Sequence, residues 1–509
     1  MRTPRVEVLP GEAAELPQRV LGSVDTAVAI GIRRGSSAPR VARGSGALAA
    51  RLGIDVPTVA ERERAGTAAG DLTRVPLGGS SLAAGSLPGQ VLLVGVGDGS
   101  PGALRTAAAV LARSLRGVTL LVTTLAAGGS SEVAGAVAEG VLLGAYRVAR
   151  EGKKAAEPWT GLSRVQLAGV PDPDRADAVR RGLASAGATV LARDLANTRS
   201  STKGPAWLAA RATRVARSSG LTARVWSEAD LRREGFAAIL AVGGGAERGP
   251  RLVQLDHRPT GRSAAGHPHV VLVGKGITFD TGGISLKPRE AMLGMTTDMT
   301  GSAVVLAVLA ACRELGVQAR VTGLMPLAEN AFGAGSYRPA DVVRTYDGTT
   351  VEVRNTDAEG RMVLADAMGY ARANLRPDIM VDVATLTGAA TQALGRSYAA
   401  LYASDDRLSR ALVRAGDGAG ERLWPMPLVE DYRQLIDSDV ADLCQISTDR
   451  SVGAGSVMAA LFLREFAGDV PWAHLDIAGP GRSERDRGEI NRGGTGFGAR
   501  LLLRWLQTL

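Results

Sequence analysis

Apolar residues along this chain fall into short continuous runs separated by stretches where they recur every three or four positions. Ala27–Ile32, Val91–Val96 and Val118–Thr123 are apolar runs of strand length. Between and after them, Ala103–Leu115 and Ser131–Arg147 carry the spacing of helices with one buried face. Strand–helix–strand order predicts parallel pairing, and so a small three-layer α/β domain over residues 1–165. Residues 166–196 read as a connector. Pro171–Asp174 (PDPD) breaks and then caps, Arg175–Ala186 has helical spacing, Gly187 ends that helix, and Ala188–Leu191 is a short strand candidate. Asn197–Pro205 is polar and turn-rich, which places the start of a second domain near 197, with Pro205–Ala216 as its first helix.

Beyond Ala237 the runs become more strongly apolar. AAILAVG (Ala237–Gly243), RLVQLDHRP (Arg251–Pro259) and HVVLVGKG (His269–Gly276) suit strands buried on both faces. Thr300–Leu315 is predicted helical, Ala319–Met325 a strand, Leu364–Ala373 a helix and Ile379–Val383 a strand. Gly388–Leu394 starts a helix, Ser456–Phe466 is a helix, Ala473–Ile477 a strand and Ala499–Leu506 a closing helix. The expected fold is α/β in two domains, the larger one (197–509) built on a central, mostly parallel sheet. Such sheets place their sites at the carboxyl ends of the strands.

Composition refines this picture. At 509 residues and 45% hydrophobic, the chain is long enough for two cores. Its two cysteines, Cys312 and Cys444, suggest no disulfide framework and read as small core residues. The N-terminal stretch lacks the apolar segment of a signal peptide, and no apolar run is expected to reach the length of a membrane span, so a cytoplasmic location is expected. The formal charge is +9, but the basic residues are spread along the chain without a basic tail or an aromatic-interleaved stripe, which argues against a nucleic-acid partner. The basic residues are nearly all arginine. Lysine occurs only at 153, 154, 203, 275 and 287. Lysine, unlike arginine, can lose its proton and ligate a metal, and Lys275 and Lys287 share one glycine-rich segment.

That segment, Val273–Pro288, reads VGKGITFDTGGISLKP and carries Lys275, Asp280 and Lys287 on a loop that follows a predicted strand. A second acid, Asp298, precedes the helix predicted from Thr300. Asn355–Leu364 reads NTDAEGRMVL, with Asp357, Glu359 and Arg361 at every second position. Read as extended chain, that spacing points all three to one side. Four carboxylates crowded together are costly unless cations bind among them, and an oxygen-rich set suits hard divalent ions. The histidines, His257, His267, His269 and His474, fall outside these motifs, so a histidine-based zinc site is not expected.

These motifs, with VATLTGA at Val383–Ala389, SVMAALFLREF at Ser456–Phe466 and HLDIAGP at His474–Pro480, resemble the cytosolic leucyl aminopeptidases, the dinuclear metallo-aminopeptidases. The resemblance runs from about Gly235 to the C-terminus and is weaker before it. It implies two divalent metal ions (Mn²⁺ or Zn²⁺). Asp280 and Glu359 would bridge them, Asp357 would complete the more exchangeable site, and Lys275 and Asp298 the tighter one, Lys275 as a neutral amine. Lys287 would polarise the scissile carbonyl, and Arg361 would hold a bicarbonate that relays a proton. Met295, Thr385, Gly388 and Ala478 would line an apolar pocket for the first side chain of a peptide. The family implies a homohexamer. A Cys-Gly dipeptidase, or a DNA-binding protein on the same hexameric fold, are the alternative readings. Three departures stand out. The segment Gly481–Arg487 (GRSERDR) is more polar than is usual for the family, the loop Asn330–Gly333 differs, and YRPAD at Tyr337–Asp341 replaces YRPGD.

Overall fold

The computed structural model describes all residues except 1–2, 10–15, 17–20, 22, 77–87, 150–160, 171, 260–265 and 450. Lys153, Lys154 and Pro171 of the sequence reading lie outside the described residues. Contacts divide the chain into two compact units, one of residues 1–187 with 485–491, the other of 188–484 with 492–509.

The first unit is built on a seven-stranded sheet of β1 (Arg5–Leu9), β2 (Thr26–Arg33), β3 (Arg40–Val41), β4 (Leu72–Arg74), β5 (Gln90–Gly95), β6 (Leu120–Thr123) and β7 (Arg164–Ala168). The order is β1-β7-β6-β2-β5-β4, with β3 paired to β2. The four neighbouring pairs from β1 to β5 are parallel, as the alternation of strand runs and helical spacing requires. Helices Pro101–Ser114 and Ser131–Ala145 begin at Ser100 and Ser130, whose side chains accept from backbone N–H groups of the first turn. The glycine-rich turn Gly95–Gly102 (GVGDGSPG) opens the first of these helices. A late segment completes this unit: Arg113 Nη2 donates to Gly488 O and Ile490 O, and Asn491 Nδ2 to Tyr146 O.

The second unit carries a nine-stranded sheet. In chain order its strands are β8 (Thr222–Trp226), β9 (Arg251–His257), β10 (His269–Gly274), β11 (Gly276–Asp280), β12 (Arg320–Asn330), β13 (Ile379–Ala384), β14 (Ala399–Ala403), β15 (Leu423–Pro425) and β16 (Trp472–Asp476). Their order is β15-β14-β16-β13-β10-β12-β9-β8, with β11 paired to β12. The centre, β16-β13-β10-β12, is parallel, while β9 and β14 join it antiparallel and β8 pairs antiparallel with β9. Every residue of β10 is buried, as expected of a central parallel strand. Helix Thr300–Cys312 packs on this centre. Together with the preceding turn it forms an 18-residue apolar stretch, Met295–Cys312, of membrane-span length, but 83% of it is buried within the protein. Cys312 and Cys444 are free, buried thiols.

Two expectations change. AAILAVG is a helix, Ala237–Gly243, not a strand. Its buried positions are 238, 239, 242 and 243, which is helical spacing, but a short apolar run fits either state. Long-range contacts decide: the buried Asp366 carboxylate accepts the N–H of Ile239 and of Tyr346, and Phe236 sits among Trp226, Tyr346 and Tyr370. Likewise Gly187 does not end a helix and Ala188–Leu191 is not a strand. One helix runs Pro173–Asn197, because a single glycine costs only about 1 kcal/mol against alanine and Ala192, Leu195 and Ala196 continue a buried face.

The YRPAD departure has a physical consequence. Ala340 adopts φ of 75°, and its N–H donates to Val353 O at 2.7 Å. A side chain in this left-handed region costs about 1–2 kcal/mol. Part of that gain is offset because glycine has more freedom in the unfolded chain. Ala340→Gly is therefore expected to raise stability by about 0.5–1 kcal/mol in urea unfolding, and a loss of stability would contradict the strain.

Candidate metal centre

The carboxyl ends of β10, β13 and β16, which are neighbours in the sheet, and of β11, which pairs with β12, converge. Lys275 directly follows β10, Asp280 ends β11, Thr385 follows β13 and Asp476 ends β16. Asp298 lies between a short turn, Met295–Thr297, and the helix Thr300–Cys312. The NTDAEGR segment is not extended, as its alternation suggested. Asp357 occupies a turn, and Glu359 is the first residue of the helix Glu359–Tyr370. The two acids still meet, but Arg361 is rotated about 200° from Glu359 around the helix. Its guanidinium turns to Gln445, with Nη1 donating to Gln445 O at 2.6 Å.

The structure brings together all five expected ligand residues and Lys287. Asp280, Asp357 and Glu359 each present a carboxylate oxygen within 4.8 Å of the others. Lys275 Nζ lies 3.0 Å from Asp298 Oδ2 and 2.9 Å from Glu359 Oε1, and donates to Thr385 O at 2.9 Å. Lys287 Nζ lies 2.9 Å from Asp280 Oδ2 and 2.5 Å from Asp357 Oδ1. Lys275, Asp280, Asp298 and Glu359 are buried. Gly360 permits this closeness, since a β-carbon there would stand 2.6 Å from Lys275 Cε.

Burial shapes the electrostatics first. It pushes the Glu359 carboxyl up to about 8, with the neighbouring Asp280 charge adding to the effect and Lys275 opposing it. It pushes Asp298 up to about 6 against the pull of Lys275, and raises Asp357 with help from Asp280. Burial works against the charge on both lysines. The surrounding carboxylates outweigh it, chiefly Asp298 and Glu359 for Lys275 and Asp280 and Glu359 for Lys287, so both amines titrate above the ordinary lysine range. Arg361 is lowered to about 10 by burial, against the favourable charges of Glu359 and Asp476.

Four side chains that the sequence did not single out hold this arrangement. Asn330, at the end of β12, donates from Nδ2 to Asp280 Oδ1 and to Thr356 O. Thr356 Oγ1 donates to Gly282 O and accepts from Ser285 N, tying the two ligand loops together. Gln445 Oε1 accepts the N–H groups of Arg354 and Asn355, both at 2.8 Å, and fixes the turn before Asp357. Asp476, 1% exposed, accepts the N–H groups of Leu386, Thr387 and Ala478 and the Thr387 hydroxyl.

Asp476 brings together the segments that carry three of the four expected pocket residues. Thr385 and Gly388 flank the Leu386–Thr387 segment it holds, and Ala478 binds it directly. Thr385 Oγ1 also donates to Asp298 Oδ1 at 2.7 Å. Met295 is half-buried in the turn before Asp298, whose N–H it accepts at 3.2 Å. His474 is a core residue, bonded through Nδ1 to Asp382 at 2.6 Å.

The donor set fits divalent cations. Four carboxylates face two lysines, so negative charge is in excess. Glu359 Oε2 is a buried oxygen without a hydrogen-bond partner, and the lysine contacts of Asp298 Oδ2 and Asp357 Oδ1 are ion pairs rather than aligned hydrogen bonds. Buried acceptors left in this state imply a ligand that supplies positive charge.

Residues 190–503 match the catalytic domain of the cytosol aminopeptidase family. The chain belongs to that family. Probable cytosol aminopeptidases of Roseiflexus castenholzii and Streptomyces coelicolor are 42% and 39% identical to it, over 83% and 94% of this chain and 88% and 95% of theirs. Among solved structures, the bottromycin maturation enzyme BotP in complex with Mn superposes with a TM-score of 0.81 at 37% identity, covering 96% of this chain and 99% of that one. A tomato leucine aminopeptidase mutant superposes with a TM-score of 0.84 at 27% identity, covering 100% and 97%. As a cytosol aminopeptidase family member, the chain is a leucyl-type aminopeptidase, a metal-dependent hydrolase acting on peptides.

Proposed function

We propose that this aminopeptidase removes the N-terminal residue of peptides with a water activated between two divalent ions, Mn²⁺ or Zn²⁺. The reading rests chiefly on the convergence of Lys275, Asp280, Asp298, Asp357 and Glu359, whose buried carboxylate oxygens include three that no aligned hydrogen bond satisfies. Asp280 and Glu359 would hold both ions, Asp357 the more exchangeable one, and Lys275 and Asp298 the tighter one, Lys275 as a neutral amine. Bound there, the ions lower the pKa of a water and polarise a carbonyl. Lys287 stays a cation and aims its charge at the oxygen that becomes negative in the tetrahedral transition state. Arg361, fixed by Gln445, would hold a bicarbonate with its guanidinium, and that group would supply a proton relay. Met295, Thr385, Gly388 and Ala478 form the walls of the pocket for the first side chain, with leucine a good substrate. The active form is a cytoplasmic homohexamer.

The test is release of p-nitroaniline from Leu-p-nitroanilide by purified protein before chelation, after it, and after adding back Mn²⁺ or Zn²⁺. Activity is expected to vanish and return. Hydrolysis that survives complete metal removal, or its absence under every metal, would overturn the reading.

A further inference from the structure

The polar segment after Ala478 gives the pocket a charged end. Gly481 lies against the Thr385 wall, where a β-carbon would stand 3.3 Å from Thr385 Cγ2. The next residue, Arg482, reaches the opposite wall. Its Nη1 occupies the space that a β-carbon on Gly294 would take, and Gly294 immediately precedes Met295. The backbone on either side is fixed: Gly481 N donates to Ile477 O, Thr495 N donates to Gly481 O, and Arg482 pairs with Gly494 across a two-stranded ribbon. The Arg482 guanidinium therefore spans from the loop that carries Ala478 to the turn that carries Met295.

That charge is only loosely matched. Arg482 Nη2 and Arg396 Nη2 each lie 3.5 Å from the same Glu484 oxygen. Two arginines share one carboxylate, which leaves a positive charge over. Glu484 is itself 68% exposed, so a ligand carboxylate can displace it at little cost.

We propose that Arg482 is a specificity-determining residue, and that the pocket accepts an acidic first residue, glutamate above all, beside leucine. This rests on the aminopeptidase reading and on the pocket walls given above. Apolar walls suit the two methylenes of glutamate, and the guanidinium at the end suits its carboxylate in a bidentate pair.

The test compares kcat/KM for α-Glu-, Leu- and Lys-p-nitroanilide with the Mn²⁺-loaded protein. Glu is expected within about tenfold of Leu, and Lys far below both. Arg482→Met is expected to lower the Glu/Leu ratio by about 10²-fold, the order of cost of leaving one charge of a desolvated pair alone. Arg482→Lys, which keeps the charge but not the bidentate fork, should restore only part of it, and Glu484→Gln, which removes the competing carboxylate, should raise the ratio. A Glu/Leu ratio below about 10⁻² in the unaltered protein, or one that neither Arg482→Met nor Glu484→Gln moves, would overturn the inference while leaving the peptidase standing. Failure to cleave any of the three substrates would overturn both.

Discussion

Asp357→Asn is expected to abolish turnover and to reduce the metal bound by the purified protein, while leaving the fold intact. Asp357 sits at the mouth of the cluster, its side chain 29% exposed, with one oxygen 2.5 Å from Lys287 Nζ. Asparagine keeps the shape and removes the charge. Because burial, with the Asp280 charge adding to it, holds the Asp357 carboxyl above its ordinary range, the metal-free fold loses little when that charge goes. The loss falls on the bound cation, which needs an anionic oxygen, and should exceed the roughly 10–100-fold cost of losing an outer partner of a metal ligand. Metal content by mass spectrometry and Leu-p-nitroanilide turnover read this directly, and full activity in the variant would sink the assignment. The same cluster sets a pH dependence. A proton on Glu359, held up to about 8, competes with a cation. Metal affinity of the unaltered protein is therefore expected to climb as pH rises towards 8 and to fall below it, with protons released on binding. A pH-independent affinity from 6 to 8 would contradict it.

Lys287→Ala is expected to retain the metals but to lower kcat by about 10²–10³, the range seen when one donor to a developing oxyanion is lost. Lys287 is not a surface lysine. Its side chain is 15% exposed and its Nζ touches both Asp280 and Asp357. The carboxylates around it outweigh burial and keep the amine protonated through the working range, so it acts as a fixed cation and not as a base. A charge aimed at the transition state appears in kcat more than in KM. An unchanged kcat would make Lys287 a structural counter-ion to the two aspartates.

Much of this protein was determined by short stretches of sequence. The chemistry of the site is written in segments of a few residues, because Lys275, Lys287 and Asp280 stand in one glycine-rich segment, Asp298 just after a short turn, and Asp357 and Glu359 where a turn enters a helix, and their residue types restrict what can bind. The strongly apolar β10 and β13 declared a buried parallel sheet, and with it the edge at which the loops must gather. Tertiary structure decided the rest. Whether AAILAVG became helix or strand depended on Asp366 and an aromatic cluster far along the chain, which local pattern does not contain. The direction of Arg361 followed from a helix start and from Gln445, 84 residues away. Asp476 and Gln445 themselves have no local signature: one is a lone acid at a strand end, the other a neutral amide in a loop. Each matters only because folding removes water and leaves backbone N–H groups that need a buried acceptor. For the same reason Arg482 read as one arginine among many until the fold laid it over Gly294.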